Sequence, residues 1–127
     1  MSKEKMSPRP TDGELEILSV LWERGPSTVR QVHEVVSARR QTTFNTTLKF
    51  LQIMREKGLV KHDPASRPHV YWPQVPQQQM QGRLVADFLQ RAFGGSARKL
   101  VAALMETDIS AKDLAEIQRV IRQGKEK

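Results

Sequence analysis

The sequence predicts a mainly α chain: three short helices, a two-stranded hairpin, then three more helices. Three observations predict it. Apolar residues recur at i, i+3 and i+7 in successive stretches, the pattern of one-sided helices. Glycine breaks fall at Gly25-Pro26, Gly58 and Gly94-Gly95. Between the second and third breaks lies a short run, with Val60, Val70, Tyr71 and Trp72, of high strand propensity.

Residues 1–10 are polar, carry two prolines and are expected as a disordered arm. Thr11 and Glu14 have the spacing of a capping box, so the first helix should start there, with Leu15, Leu18 and Trp22 on its apolar face. Gly25-Pro26 stops it. Ser27 is expected to cap a second helix bearing Val29, Val32 and Val36 and ending in Arg39-Arg40. A third should run from about Thr42 to Lys57, closed by Gly58 in the left-handed conformation. The hairpin pairs residues 59–63 with 69–72, and Pro68, which cannot donate to a ladder, belongs at its tip or edge. A glutamine-rich connector, residues 73–79, leads to a fourth helix with Leu84, Val85, Phe88 and Ala92. Ser96 caps a fifth with Leu100, Val101, Leu104 and Met105; Ser110 caps a sixth with Leu114, Ile117 and Ile121.

Composition narrows the function. The 127 residues contain no cysteine, which removes disulfides, thiolate catalysis and thiolate metal sites together. No apolar run nears the roughly 20 residues of a membrane span, and the opening MSKEKMSPRP has no signal-peptide core, so the expected location is cytoplasmic. The net charge of +7 favours a polyanionic partner. It is concentrated: residues 39–67 hold seven basic side chains (Arg39, Arg40, Lys49, Arg55, Lys57, Lys61, Arg67) against Glu56 and Asp63.

The third helix carries the chemistry. At 100° per residue, Phe44, Leu48, Leu51 and Met54 share one face, with Thr47 beside them. Thr42, Asn45, Lys49, Gln52 and Glu56 lie opposite, with Thr46 alongside and Ile53 out of place among them. Asparagine can pair with adenine N6 and N7, threonine offers a hydroxyl and a methyl, and lysine reaches guanine or phosphate. An ordinary amphipathic helix also has a polar outer face. Here, however, the helix follows a short helix and turn and precedes a basic hairpin, the order of a winged helix-turn-helix. Free N–H groups at Thr28 suit a phosphate. Arg39 and Arg40 can clamp the backbone, and Arg67 at the hairpin tip can reach a phosphate or the minor groove.

His62 and His69 can face each other across the hairpin, but two imidazoles make a poor metal site, and no metal or other cofactor is expected. His33 belongs at the flank of the core. No catalytic spacing and no glycine-rich phosphate loop occur, so no enzymatic activity is expected.

With these residues in view, the chain resembles the penicillinase-repressor family, the BlaI/MecI/CopY group. The resemblance is carried by Thr11-Asp12-Gly13-Glu14-Leu15-Glu16-Ile17-Leu18, by the run from Val20 to Val32 through Trp22 and Gly25-Pro26-Ser27-Thr28, and by Asn45-Thr46-Thr47-Leu48. Glu56-Lys57-Gly58-Leu59-Val60, Tyr71-Trp72-Pro73 and Phe93-Gly94-Gly95-Ser96 add to it. It implies a homodimeric transcriptional repressor, with a winged-helix domain over residues 11–73, a three-helix dimerisation domain over 74–123 and a tail over 124–127. It also implies base-reading roles for Thr43, Asn45, Thr46 and Lys49 on a palindromic, TACA/TGTA-like operator. An upstream membrane sensor and protease act on the antibiotic-responsive members; this chain has Ala102-Ala103 where the staphylococcal members carry an Asn-Phe scissile bond. An aromatic usual before the reading segment is replaced by Thr42, a wing aromatic by Pro68 and His69, and the cysteine cluster of the copper-responsive members is missing.

The dimer is also expected physically, because joining two heads raises the effective concentration of the second. Its seam is expected at Leu84, Val85, Phe88, Leu100, Leu104, Leu114, Ile117 and Ile121, unless those faces close a monomeric core. Two alternatives share the fold: a winged-helix regulator answering to a small molecule, and a winged helix used for protein interaction.

Overall fold

The computed structural model describes residues 9–125. The arm expected over residues 1–10 lies mostly outside that span, although Pro10 within it is buried. Helix α1 covers Asp12–Arg24, and its capping box forms as expected. The Glu14 amide donates to Thr11 Oγ1 (3.2 Å) and the Thr11 amide donates to Glu14 Oε1 (3.0 Å). Its buried face differs from the expected one. Ile17, Leu18, Val20 and Leu21 are enclosed, while Leu15 and Trp22 are only half-buried. The stripe is thus wider than the i, i+3, i+7 series, because α1 packs against two helices and a strand at once.

Strand β1 (Ser27–Thr28) was not foreseen. It leads directly into α2 (Val29–Ser37) and pairs antiparallel with β3 (Val70–Pro73), which also pairs with β2 (Val60–His62). The expected two-stranded wing is therefore a three-stranded sheet of order β1-β3-β2. A two-residue strand carries no periodicity, and only the pairing of Ser27 with Tyr71 and Thr28 with Val70 reveals it. The cap of α2 moves accordingly. Thr28, not Ser27, accepts from the Gln31 amide (3.2 Å), while the Ser27 hydroxyl donates to the Gly25 carbonyl (2.8 Å).

Helix α3 spans Phe44–Lys57, capped by Thr43 rather than starting at Thr42. Gly58 closes it at φ 84°, in the left-handed region where a Cβ is costly. Val32, Val36, Leu51, Met54, Leu59, Val60, Tyr71, Val75 and Met80 are also in the core. Each fully enclosed large side chain contributes on the order of 1.5–3 kcal/mol. The chain leaving β3 is tied to α1 by the Trp22 indole N–H, which donates to the Val75 carbonyl (3.1 Å).

Glu14 is buried and has a second partner: Lys57 Nζ, at the end of α3, donates to both its carboxylate oxygens (3.0 and 2.9 Å). Removing the cation leaves a buried carboxylate without its counter-charge. Because the Lys57 side chain is itself 31% exposed, the cost falls below that of a fully buried pair. Lys57→Met is expected to lower stability by about 2 kcal/mol, with Lys57→Arg retaining most of it. Urea unfolding checks this, and an unchanged midpoint for Lys57→Met contradicts it.

The chain divides into two compact units, the first reaching Gly82 and the second running from Arg83. The division falls inside α4 (Gln77–Phe93), beyond the 73/74 boundary expected from the sequence, because Met80 in the first turns of that helix is buried. The second unit holds the remainder of α4, α5 (Ala97–Met105, capped by Ser96) and α6 (Ala111–Lys125), which continues into the segment expected as a tail. The Asp113 amide donates to Ser110 Oγ (3.1 Å), as the sequence suggested. Gly94 and Gly95, at φ 59° and 86°, make the turn between α4 and α5. No described residue from Arg83 onward is fully buried.

Candidate nucleic-acid interface

Helix α3 buries Thr47, Leu51 and Met54, so the opposite side must face outward. Asn45, Thr46 and Lys49 are all exposed on that side, with Thr43 exposed just before them. Thr43 is bound into the helix start: its Oγ1 accepts from the Thr46 amide (3.1 Å) and lies 2.9 Å from Thr46 Oγ1. The two hydroxyls and the neighbouring amide of Asn45 form one hydrogen-bonding edge at the helix N-terminus, and Lys49 stands one turn, about 6 Å, further along. Thr42 is half-buried and precedes the cap.

Helix α2 holds α3 in place. His33, half-buried at the core's flank, lies with Nδ1 3.1 Å from Thr47 Oγ1. Thr47 Oγ1 also lies 3.4 Å from the Thr43 carbonyl, to which it can donate. The same ring meets Phe44 edge-on at 5.8 Å.

Phe44 departs from expectation. It is 39% exposed, since the first residue of a helix has no preceding turn to cover it. With Leu48 it forms one wall of a cleft of about 570 Å³ whose other walls are Thr28, Val29, Arg30, Arg67, Pro68, His69 and Tyr71. The cleft thus runs between the start of α2, the start of α3 and the tip of the wing. Arg30 was not singled out from the sequence. Its guanidinium lies 5.7 Å from the Phe44 ring centroid, a cation held on an aromatic face at the mouth of this cleft. Its position in the first turn of α2 was the available signal.

The other expected cations are more constrained. Arg40 pairs with Glu16 (2.7 Å), Arg39 lies 3.9 Å from the same carboxylate, and neither lines the cleft. Arg67 folds onto the wing, donating to the carbonyls of Pro64 and Ser66 (both 2.8 Å), with His69 Nε2 3.0 Å away. At Thr28 the capping box already occupies the Thr28 and Gln31 amides, which leaves those of Val29 and Arg30 at the first two helical positions.

The wing loop is organised by Asp63, whose Oδ1 accepts from the Ala65 amide (2.9 Å), and by Ser66, whose Oγ accepts from the Val70 amide (3.1 Å). His62 and His69 do face each other, with ring centroids 4.5 Å apart. The pKa of His62 is held below the ordinary histidine value by withdrawal from water, then by the His69 ring and the cations Arg55 and Arg67, against an opposing pull from Asp63. No cluster of three metal-ligating side chains exists among the described residues.

Of the residues expected at a dimer seam, Val85, Phe88, Leu104 and Ile121 are exposed, and Leu84, Leu100, Leu114 and Ile117 are half-buried within their own unit. Val101, Met105 and Val120 add to the exposed apolar surface. Ala102 and Ala103 are exposed and lie inside α5. No helix among the described residues is long and apolar enough to cross a membrane.

The three helices and the wing have a counterpart in known proteins. The model of the penicillinase repressor family matches residues 10–123. The chain belongs to that family. A transcriptional regulator BlaI of Mycobacterium tuberculosis is 31% identical over 112 residues, covering 86% of this chain and 81% of the relative. A penicillinase repressor of Bacillus licheniformis is 24% identical over 122 residues, 95% of each chain. The solution structure of the DNA-binding domain of the repressor BlaI superposes with a TM-score of 0.51 at 26% identity, covering 58% of this chain and 90% of that domain. Penicillinase repressor family membership makes this a transcriptional repressor-type protein with a DNA-binding winged helix, and the relatives are regulators rather than enzymes.

Proposed function

We propose that the chain is a homodimeric repressor that occupies a palindromic, TACA/TGTA-like operator in the cytoplasm and blocks transcription there. The observation that carries this reading is the exposed edge of α3, where Thr43, Asn45, Thr46 and Lys49 stand together beside a cationic, partly aromatic cleft. Asn45, Thr46 and Lys49 read base edges in the major groove. One phosphate strand runs along the cleft, received by Arg30 and by the amides of Val29 and Arg30, which the start of α2 polarises. Arg67 exchanges its carbonyl partners for a phosphate, a stronger, charge-assisted bond. Arg39 and Arg40, held by Glu16, add positive potential at longer range.

Residues 11–73 are the DNA-binding part and 74–123 the dimerising part. The second is supported by the exposure of Val85 (53%), Phe88 (51%) and Ile121 (53%) in the compact unit that starts at Arg83, none of whose described residues is fully buried. Two heads on one such seam set their reading helices ~34 Å apart, or a multiple of it, which is what an inverted repeat requires.

Selection of bound fragments from random duplex DNA tests this, followed by titration of the selected duplex at increasing salt. The expected result is an inverted repeat whose affinity falls roughly 10³–10⁵-fold between about 50 and 200 mM salt, as for a protein making several phosphate contacts. A purified chain that binds no duplex at low salt overturns the proposal.

A further inference from the structure

Ile53 stands out from the rest of α3. Leu51 and Met54 of the helix are enclosed, Phe44 and Leu48 line the wing cleft, and Phe50 is half-buried against the start of α1. Ile53 is 38% exposed on the polar side. It lies one turn beyond Lys49 and two turns beyond Thr46, so the three form a single stripe. With Phe50 they enclose a shallow hollow of about 230 Å³. The floor of that hollow is fixed. A Cβ at Gly13 would lie 2.9 Å from Phe50 Cζ, so the ring is seated directly on the start of α1. The hollow is therefore apolar and held by the core, and it opens beside the side chains assigned to base reading.

We propose that Ile53, with the methyl of Thr46 and the aliphatic stem of Lys49, receives the 5-methyl group of a thymine in the major groove, which makes Ile53 a specificity-determining residue of this helix. The proposal rests on the duplex-reading function above. The thymine methyl is the apolar feature of the major-groove code, and it separates thymine from cytosine and from uracil. A branched aliphatic side chain recognises it by excluding water, and no hydrogen bond is needed. The Lys49 ammonium at the rim remains free to take an adjacent guanine or phosphate.

The test uses the full chain and the duplex obtained by selection, with thymines replaced one at a time by deoxyuridine, which removes the methyl and leaves base pairing intact. Fluorescence anisotropy should show one thymine per half-site whose replacement weakens wild-type binding about fourfold, the equivalent of one buried methyl. Ile53→Ala, which removes an exposed side chain and leaves thermal melting unchanged, should bind the thymine and uracil duplexes equally. Selection with that variant should relax preference at this one position. If every thymine tolerates uracil, or if Ile53→Ala weakens all sequences alike as a contact to deoxyribose would, the inference falls and the duplex-reading function stands. If the wild-type chain selects no duplex, both fall.

Discussion

Asn45→Ala and Lys49→Ala are each expected to weaken binding to the selected operator by about 1–3 kcal/mol, roughly 5- to 150-fold, while binding to unrelated duplex changes far less. Both side chains are exposed and neither has a hydrogen bond or ion pair to another side chain among the described residues, so melting temperature should stay at the wild-type value. The two variants should differ in kind. Asn45→Ala removes a paired donor and acceptor matched to adenine, so selection with it should lose preference at one base pair. Lys49→Ala should instead lose preference for guanine at a neighbouring base pair and leave the salt dependence nearly unchanged. An Asn45→Ala chain that selects the wild-type sequence with undiminished preference would show that the reading face lies elsewhere.

The second large effect concerns association. The wild type is expected to sediment as a dimer at micromolar concentration, and Phe88→Glu combined with Ile121→Glu to sediment as a monomer. Operator affinity should then fall by roughly 10²–10⁴, the factor by which tethering strengthens the second contact. Single-head binding to a half-site should persist, because residues up to Gly82 form a compact unit with their own core. A double variant that remains dimeric would move the seam to the other exposed apolar side chains, Val101, Met105 and Val120.

Much of this molecule was legible in the sequence, and the parts that were not share a physical cause. Caps and stops were readable because Thr11 with Glu14, Ser96 and Gly58 satisfy local backbone demands that tertiary contacts seldom override. Strand β1 and the α2 cap were missed together. Pairing of Ser27 with Tyr71, far along the chain, draws Ser27 into the sheet and hands the capping role to Thr28. For the site, composition and helical projection located Asn45, Thr46 and Lys49 on the outward face. They did not show that Glu16 holds Arg40, or that Arg67 turns back on its own loop. Long cationic side chains choose partners by proximity in space, which no spacing rule encodes. Ile53 was visible as an anomaly and became intelligible only once Phe50 was seen to close the hollow beside it.

The carboxylate of Glu14 begins one helix and anchors the end of another. Fraying of the first turn therefore cannot stay local. If the first turn of α1 unwinds far enough to displace Glu14, Lys57 at the end of α3 loses its counter-charge, and the two segments should open and reclose together. Loosening at the start of α1 should thus reach the Lys57 end of α3 before the opposite end, which has its own fastening in the Thr43 cap and the His33–Thr47 contact.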